Sequence, residues 1–154
     1  STMVTTLPIN RAYKEEEIAP VRHTQHDVIH RSPAESDETA RGRDVWIHGS
    51  ISGDGAPCRV IRSRHLDMYY CTQPNHVTFG LQKPCRHLQN LMWWLAYERQ
   101  YTVFEALTDA ELRGYERTYA RMASGLLVKT RGWDAEQTAL GDVIAARLAT
   151  RRVA

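Results

Sequence analysis

The sequence has no long hydrophobic run and only three cysteines, and each of these two shortages excludes a class of protein. It also has few lysines, because most of its basic residues are arginines. No apolar stretch approaches the roughly 18 residues of a membrane-spanning helix, so we expect no membrane span and no membrane partner. The start of the chain lacks the basic and apolar segments of a secretory signal, and we therefore expect a cytoplasmic protein. Three cysteines cannot form the paired framework of a small extracellular domain. We expect reduced thiols, either buried or bound to a metal.

Size and composition indicate one small globular domain with a flexible leader. The chain has 154 residues, 42% of them hydrophobic and 25% charged, which suits a single core. Residues 1–42 lack periodicity and are rich in turn formers, so we expect a flexible N-terminal arm. Within it, Asp27-Val28-Ile29 could add an edge strand. Residues 43–154 are predicted to form a single α+β domain.

Short β-type runs occupy residues 44–81 of that domain. The runs are separated by polar turns such as Gly53-Asp54-Gly55, a pattern typical of a small antiparallel sheet. The predicted strands are Val45-Trp46-Ile47, Cys58-Arg59-Val60-Ile61, Met68-Tyr69-Tyr70-Cys71 and His76-Val77-Thr78-Phe79.

Residues 84–152 are predicted to form three amphipathic helices. The first follows Pro84, a favoured first helical residue. The second begins at a capping box, Thr108 with Glu111, and ends near Gly125. The third begins at the similar signal Asp134-Ala135-Glu136-Gln137. The predicted buried stripes are Leu88, Leu91, Met92 and Leu95, then Leu112, Tyr115, Tyr119 and Met122, then Leu140, Val143, Ile144 and Leu148.

Arginine dominates the basic residues, and several arginines share helix faces. Of 20 basic residues 17 are arginines, whose planar fork suits phosphates and base edges. Arg113, Arg117 and Arg121 lie four residues apart on the second helix, and such a row can follow a phosphate backbone. A GC-rich genome, or pairing with Glu111 and Glu116, would also account for them. The third helix ends with further candidates for nucleic-acid binding, Arg147, Arg151 and Arg152.

One stretch resembles the core-binding (SAM-like) domain of tyrosine recombinases and phage integrases. The segment Asn90-Leu-Met-Trp-Trp-Leu-Ala-Tyr-Glu-Arg99 is followed by Leu107-Thr-Asp-Ala-Glu-Leu112 and Gly114-Tyr115. In that family an aromatic-rich helix precedes a helix opening with Leu-Thr, as here. The resemblance covers about 30 residues and implies that helix faces clamp DNA. The family's catalytic domain has no counterpart in this chain.

Cysteine and histidine are spaced so that they could hold a metal. Cys71, His76, Cys85 and His87 supply four ligands, the number that tetrahedral zinc requires. The Cys85-Arg86-His87 segment resembles the second half of a SWIM zinc finger, although the Cys-x-Cys of the first half is missing. His65 or Cys58 could substitute for a missing ligand. The favoured expectation is no cofactor, with the thiols buried and the histidines on the surface.

The favoured function is a non-catalytic DNA-binding module. One alternative is a protein-interaction module, such as a phage- or pathogen-type inhibitor or effector, that binds a host protein through Trp93, Trp94, Tyr97 and Tyr101. Another is a small enzyme assembled from the strand histidines, or a zinc-stabilised domain. No complete catalytic motif is present, so no residue is assigned a catalytic role.

Overall fold

The computed structural model of the chain describes residues 11–23, 29–31, 42–49, 57–72 and 83–153. These residues form an antiparallel sheet followed by three α-helices, which confirms the α+β class. The predicted strand at residues 76–79 and the predicted turn at residues 53–55 lie outside them. The strands are β1 (Tyr13–Lys14), β2 (Ile29–Arg31), β3 (Arg43–His48), β4 (Cys58–Ser63) and β5 (Met68–Cys71); the helices are α1 (Arg86–Glu105), α2 (Asp109–Ala123) and α3 (Trp133–Val153).

The sheet has five strands in the order β1-β5-β4-β3-β2, all antiparallel. Residues opposite each other on neighbouring strands share a face of the sheet. His48 pairs with Cys58, and Cys71 pairs with Val60, two residues after Cys58. This register puts His48, Cys58 and Cys71 on one face, at the same end of three strands.

Two strands come from the segment that was expected to be a flexible arm. β1 forms one edge of the sheet, and β2 forms the other, at Ile29, where an edge strand was anticipated. Tyr13 and Ile18, which lies just after a short 3-10 turn, are both buried. Flexibility therefore does not extend to these parts of the arm.

The chain divides into two compact units, residues 1–92 and 93–154, and the boundary falls within α1. This division differs from the predicted single domain after residue 42. Unit 1 holds the sheet and the first turns of α1. Unit 2 has its own core, whose buried members are Phe104, Leu112, Tyr119, Met122, Ala139, Leu140 and Val143.

The helices of unit 2 follow the predicted signals closely, with two corrections. The capping box of α2 is formed, since Glu111 N donates to Thr108 Oγ1 (3.2 Å) and Thr108 N donates to Glu111 Oε1 (3.1 Å). Tyr115 was predicted to be buried and is 40% exposed, because its ring contacts the rings of Phe104 and Tyr119 from outside the core cluster. Leu148 is 47% exposed, because the core contacts of α3 end at Ile144. No helix of the described residues is long and apolar enough to cross a membrane.

Candidate metal centre and arginine row

Three buried side chains of unit 1 bring metal-ligand atoms together. One ligand atom each from Cys58, Cys71 and His87 lies within 4.8 Å of the other two. Cys58 Sγ and Cys71 Sγ are 3.8 Å apart, and Cys71 Sγ is 3.8 Å from His87 Nδ1. All three residues are less than a tenth exposed. A polar cluster in this position requires partners, because an unsatisfied buried polar group is costly.

Three segments of the chain supply these side chains. Cys58 is the first residue of β4 and Cys71 the last of β5, so the sheet register places both thiols on one face. His87 lies in the first turn of α1, directly after the Lys83-Pro84-Cys85 segment that leads into the helix. The cluster thus joins two strands to the start of a helix.

Cys85 supplies a third thiol beside the cluster. It is buried, and its Sγ accepts a hydrogen bond from Leu88 N (3.5 Å). It also hydrogen-bonds with the His87 side chain. Cys85 thus lies next to the cluster but is not part of the group whose ligand atoms lie within 4.8 Å of one another. With Cys85 drawn in as the fourth ligand, these side chains would make the donor set of a Cys₃His zinc site.

The environment favours the thiolate of Cys58 and the protonated imidazolium of His87. The hydrogen bond with Cys71 lowers the pKa of the Cys58 thiol, despite burial, which acts in the opposite direction. Burial lowers the pKa of His87, but hydrogen bonds and charge from Cys71 and Cys85 outweigh it and raise that pKa to about 9. Thiolate and neutral imidazole are the forms that bind metal, so a bound ion would displace the proton of His87.

The spacing fits tetrahedral zinc. Zn–S bonds of about 2.3 Å at the tetrahedral angle place two thiolate sulphurs about 3.8 Å apart, which is the separation of Cys58 Sγ and Cys71 Sγ. The same geometry with a Zn–N bond of about 2.0 Å places sulphur and nitrogen about 3.5 Å apart, slightly less than the 3.8 Å between Cys71 and His87. Cys58, Cys71 and His87 therefore fit the ion with small adjustments, and Cys85 would have to move in to become the fourth ligand.

A buried polar pair lies against the cluster. The His48 ring packs edge-on to the His87 ring, with centroids 4.7 Å apart. His48 Nδ1 is 2.6 Å from Gly49 O and His48 Nε2 is 3.0 Å from Asn90 Nδ2. A carbonyl can only accept, so His48 Nδ1 carries the proton and Nε2 accepts from the Asn90 amide. Asn90 Oδ1 accepts from His23 N at 3.1 Å.

The structure gathers only part of the metal set proposed from spacing. Cys71, Cys85 and His87 lie together, whereas His76 lies outside the described residues. Of the two substitutes, Cys58 joins the cluster and His65 is exposed in the turn between β4 and β5. Sequence reasoning did not anticipate that His48 and Asn90 would be buried beside it, because only strand pairing opposes His48 to Cys58.

The arginine row (Arg113, Arg117 and Arg121) lies exposed on α2. Within the part of the chain that the structure describes, none of the three forms an ion pair or a side-chain hydrogen bond. Glu111, one of the expected partners, is used by the capping box instead. The charge of the row is therefore not paired with any acidic side chain of the described residues.

The arginines of α3 are engaged differently. Arg147 donates to Asp109 Oδ1 (3.0 Å) and to the carbonyls of Glu105 (3.0 Å) and Leu107 (2.5 Å), and so satisfies the end of α1. Arg151 also pairs with Asp109, whose pKa these two arginines lower. Arg152 is exposed. Of the three arginines expected to form a basic patch at the end of α3, Arg147 and Arg151 are therefore engaged in ion pairs or hydrogen bonds within unit 2.

The aromatic residues proposed as a protein interface contribute largely to unit 2 itself. Trp93 is 1% exposed and its indole N–H donates to Asp134 (2.9 Å). The Tyr97 hydroxyl donates to Asp142 (2.6 Å), and its ring stacks on that of Trp93. Trp94 and Tyr101 are half-buried. Burial of Trp93 removes one of the two tryptophans from the proposed surface.

Fold and site together define an α+β protein with a buried cluster of thiols and imidazole. Comparisons with protein-family models, with curated proteins and with solved structures find no match to this chain.

Proposed function

We propose that the chain is a zinc-binding domain in which one Zn²⁺ ion is held by Cys58, Cys71, Cys85 and His87. The observation that carries the proposal is that ligand atoms of Cys58, Cys71 and His87 lie within 4.8 Å of one another, with the buried Cys85 thiol beside His87 as the fourth donor. Zinc also accounts for a buried polar cluster that an apolar core would otherwise exclude.

The role of the ion is structural. Four protein donors leave no open position for water or substrate, whereas catalytic zinc keeps one. The ion would cross-link β4, β5 and the start of α1, so its binding free energy becomes folding free energy of unit 1.

Burial also disfavours the alternative of a small cysteine-dependent enzyme. A nucleophilic thiolate must be accessible to its substrate. Cys71 is 4% exposed and His87 is 6% exposed, so this pair offers no such access.

Elemental analysis and cobalt substitution test the zinc proposal. We expect one zinc per purified chain, and a Co²⁺-substituted protein with the thiolate charge-transfer and intense visible bands of tetrahedral sites. Cys71→Ser and Cys85→Ser should each lose the metal or weaken its binding at least tenfold. His65→Gln, which removes an exposed histidine, is the matched control and should retain one zinc. A metal-free chain whose melting temperature responds neither to zinc nor to a chelator would overturn the proposal.

We further propose that α2 binds the phosphate backbone of DNA. The specific support is that the arginine row is exposed and has no ion-pair partner among the described residues, while Glu111, one of the two acidic residues expected to neutralise it, is engaged in the capping box. Successive members of the row are about 6 Å apart along the helix axis, one turn of helix. Each contact with a phosphate would release counterions and make binding dependent on salt.

Fluorescence anisotropy with a labelled duplex tests this second proposal. Three phosphate contacts predict a slope of about −2.7 for the logarithm of affinity against that of salt concentration. Replacing Arg113, Arg117 and Arg121 by alanine should abolish the salt-dependent binding. The matched control removes the same charge from exposed positions of unit 1, through Lys14→Ala, Arg43→Ala and Lys83→Ala. Equal loss in both variants, or no binding at low salt, would contradict the proposal.

A further inference from the structure

Three consecutive aliphatic side chains are exposed directly after α2. Leu126 is 76% exposed, Leu127 40% and Val128 91%. Among the described residues this is the only run of neighbouring large apolar side chains on the surface. We call these three residues the apolar tip. Such a concentration of exposed apolar surface marks a site of interaction more often than chance.

The tip is held in one backbone conformation. Gly125 adopts a φ of +83°, and Gly125 N donates to Met122 O (3.2 Å). The amides of Leu126 (2.8 Å) and Leu127 (3.1 Å) both donate to Arg121 O. This is the left-handed glycine cap that ends many helices. In that motif the residue after glycine usually packs back on the helix, whereas here Leu126 remains in solvent.

Positively charged residues flank the tip along the sequence. From Arg117 to Trp133 the sequence contains Arg121, Lys129 and Arg131 and no acidic residue. The arginine row on α2 leads towards the tip, and its ends are about 12 Å apart along the helix. A partner that complements this surface must carry a line of negative charge and also accept an apolar side chain.

Duplex DNA satisfies both requirements better than an anionic membrane does. The apolar side chains Leu112, Tyr119 and Met122 of α2 are buried in the core. The helix therefore has no free apolar face with which to lie in a membrane interface. Three aliphatic side chains alone bury too little area for stable membrane binding. On DNA the phosphate contacts supply the affinity, and an apolar wedge needs only to separate one base step.

We infer that the apolar tip inserts into the minor groove of duplex DNA and kinks it, while the arginine row holds the adjacent phosphates. The inference rests on the proposed DNA binding by α2. It adds a binding mode: the protein recognises deformable steps rather than base edges, and it bends the DNA it binds.

Two readouts on one duplex test the inference. A duplex of about 30 base pairs with a fluorophore at each end reports binding by anisotropy and bending by energy transfer. The wild-type protein should bind and increase energy transfer. The tip variant, Leu126→Ser with Leu127→Ser and Val128→Ser, should bind a few-fold more weakly with an unchanged salt slope, and should leave energy transfer at the level of free DNA. Leu66→Ser, at an apolar residue 61% exposed in unit 1, is the control and should bend DNA as the wild type does.

The outcomes separate the two proposals. Binding that depends on the arginine row, with equal bending by the tip variant and the wild type, would overturn the wedge and leave DNA binding intact. No binding of the duplex by the wild type at low salt would overturn both. Sedimentation with phosphatidylcholine–phosphatidylserine vesicles, lost in the tip variant and seen without any DNA binding, would instead assign the tip to a membrane surface and overturn the inference.

Discussion

Asp44 is a buried carboxylate that three arginines surround. Its Oδ1 accepts from Arg31 Nη2 (2.6 Å) and Arg64 Nη2 (2.9 Å), and its Oδ2 lies 3.4 Å from Arg62 Nη1. The hydrogen bond from Arg64 is the largest cause that lowers the pKa of Asp44, and burial opposes it. A carboxyl whose pKa is lower in the folded state stabilises the fold above its unfolded pKa, and that contribution is lost as the pH falls through the folded value.

Asp44→Asn should therefore lower the free energy of unfolding at neutral pH by about 2 kcal/mol, because the amide cannot satisfy three cations. The difference from the wild type should shrink as the pH falls below about 4, where the Asp44 carboxyl of the unfolded chain begins to be protonated, and should vanish below the lowered pKa of the folded state. Urea denaturation across a series of pH values measures both effects. Asp67→Asn is the control, because Asp67 pairs with Arg62 at the protein surface. Loss of this ion pair should lower the free energy of unfolding by no more than about 0.5 kcal/mol. A difference that does not change with pH would contradict the assignment.

Asn90 occupies a fully buried position and bridges two elements of unit 1. Replacing it with leucine, of similar size, leaves His48 Nε2 and His23 N without the partners they have in the structure. We expect a loss of about 2 to 4 kcal/mol in the free energy of unfolding, since each buried unsatisfied group costs about 1 to 3 kcal/mol. Gln89→Ala, which removes only the half-buried contact to His23 Nε2, should cost about 1 kcal/mol. Thermal or urea unfolding distinguishes the two; equal losses would show that the amide of Asn90 has no special role.

At the scale of elements, two glycines of unit 2 should respond to the same substitution with opposite signs. Gly125 follows α2 at a φ of +83°, a backbone conformation that is strained for any residue with a Cβ. Gly125→Ala should therefore lower the free energy of unfolding by about 1 to 2 kcal/mol. Gly141 lies inside α3, and a Cβ there meets nothing within 4 Å. Gly141→Ala should stabilise by about 0.5 to 1 kcal/mol through helix propensity. Melting temperatures of the two variants give the comparison, and a shift in the same direction for both would refute this account of the cap.

The helices were predictable as elements because their signals are local. Thr108 and Glu111 form a capping box three residues apart, and Gly125 supplies the left-handed cap. The face that each helix buries was less predictable. Leu148 continues the apolar stripe of α3 but lies beyond Ile144, the last α3 residue that packs on the core. The periodicity of apolar residues cannot show where the neighbouring helix ends.

At the scale of the whole molecule, the zinc proposal predicts that metal removal acts on one unit. A chelator should lower hydrogen-exchange protection in β4 and β5, because the ion would hold these strands to the start of α1. Residues 109–150 contain none of the proposed ligands, so protection in α2 and most of α3 should be retained. Exchange measured with and without chelator, followed by added zinc, tests this and its reversibility. A uniform loss of protection in both units would contradict a role confined to unit 1.

The ligands of the candidate metal centre could be predicted only in part from the spacing of cysteine and histidine along the chain. Cys85 and His87 are two residues apart, and their proximity could be inferred directly. Cys58 and Cys71 are brought together only by the pairing of β4 with β5. From spacing along the chain, Cys58 and His65 were equally acceptable as substitute ligands, and only the strand pairing distinguishes them.

The sequence by itself determined the α+β class, the three helices, the strands β3 to β5 and the exposed position of the arginine row, because periodicity, caps and turn residues act over a few neighbouring positions. Only the tertiary structure decided that Tyr13–Lys14 forms an edge strand, that Trp93 is buried, and that the thiols of Cys58 and Cys71 lie beside His87. These features depend on strand register and helix packing between residues far apart in the chain, and no local pattern encodes which distant partner is chosen.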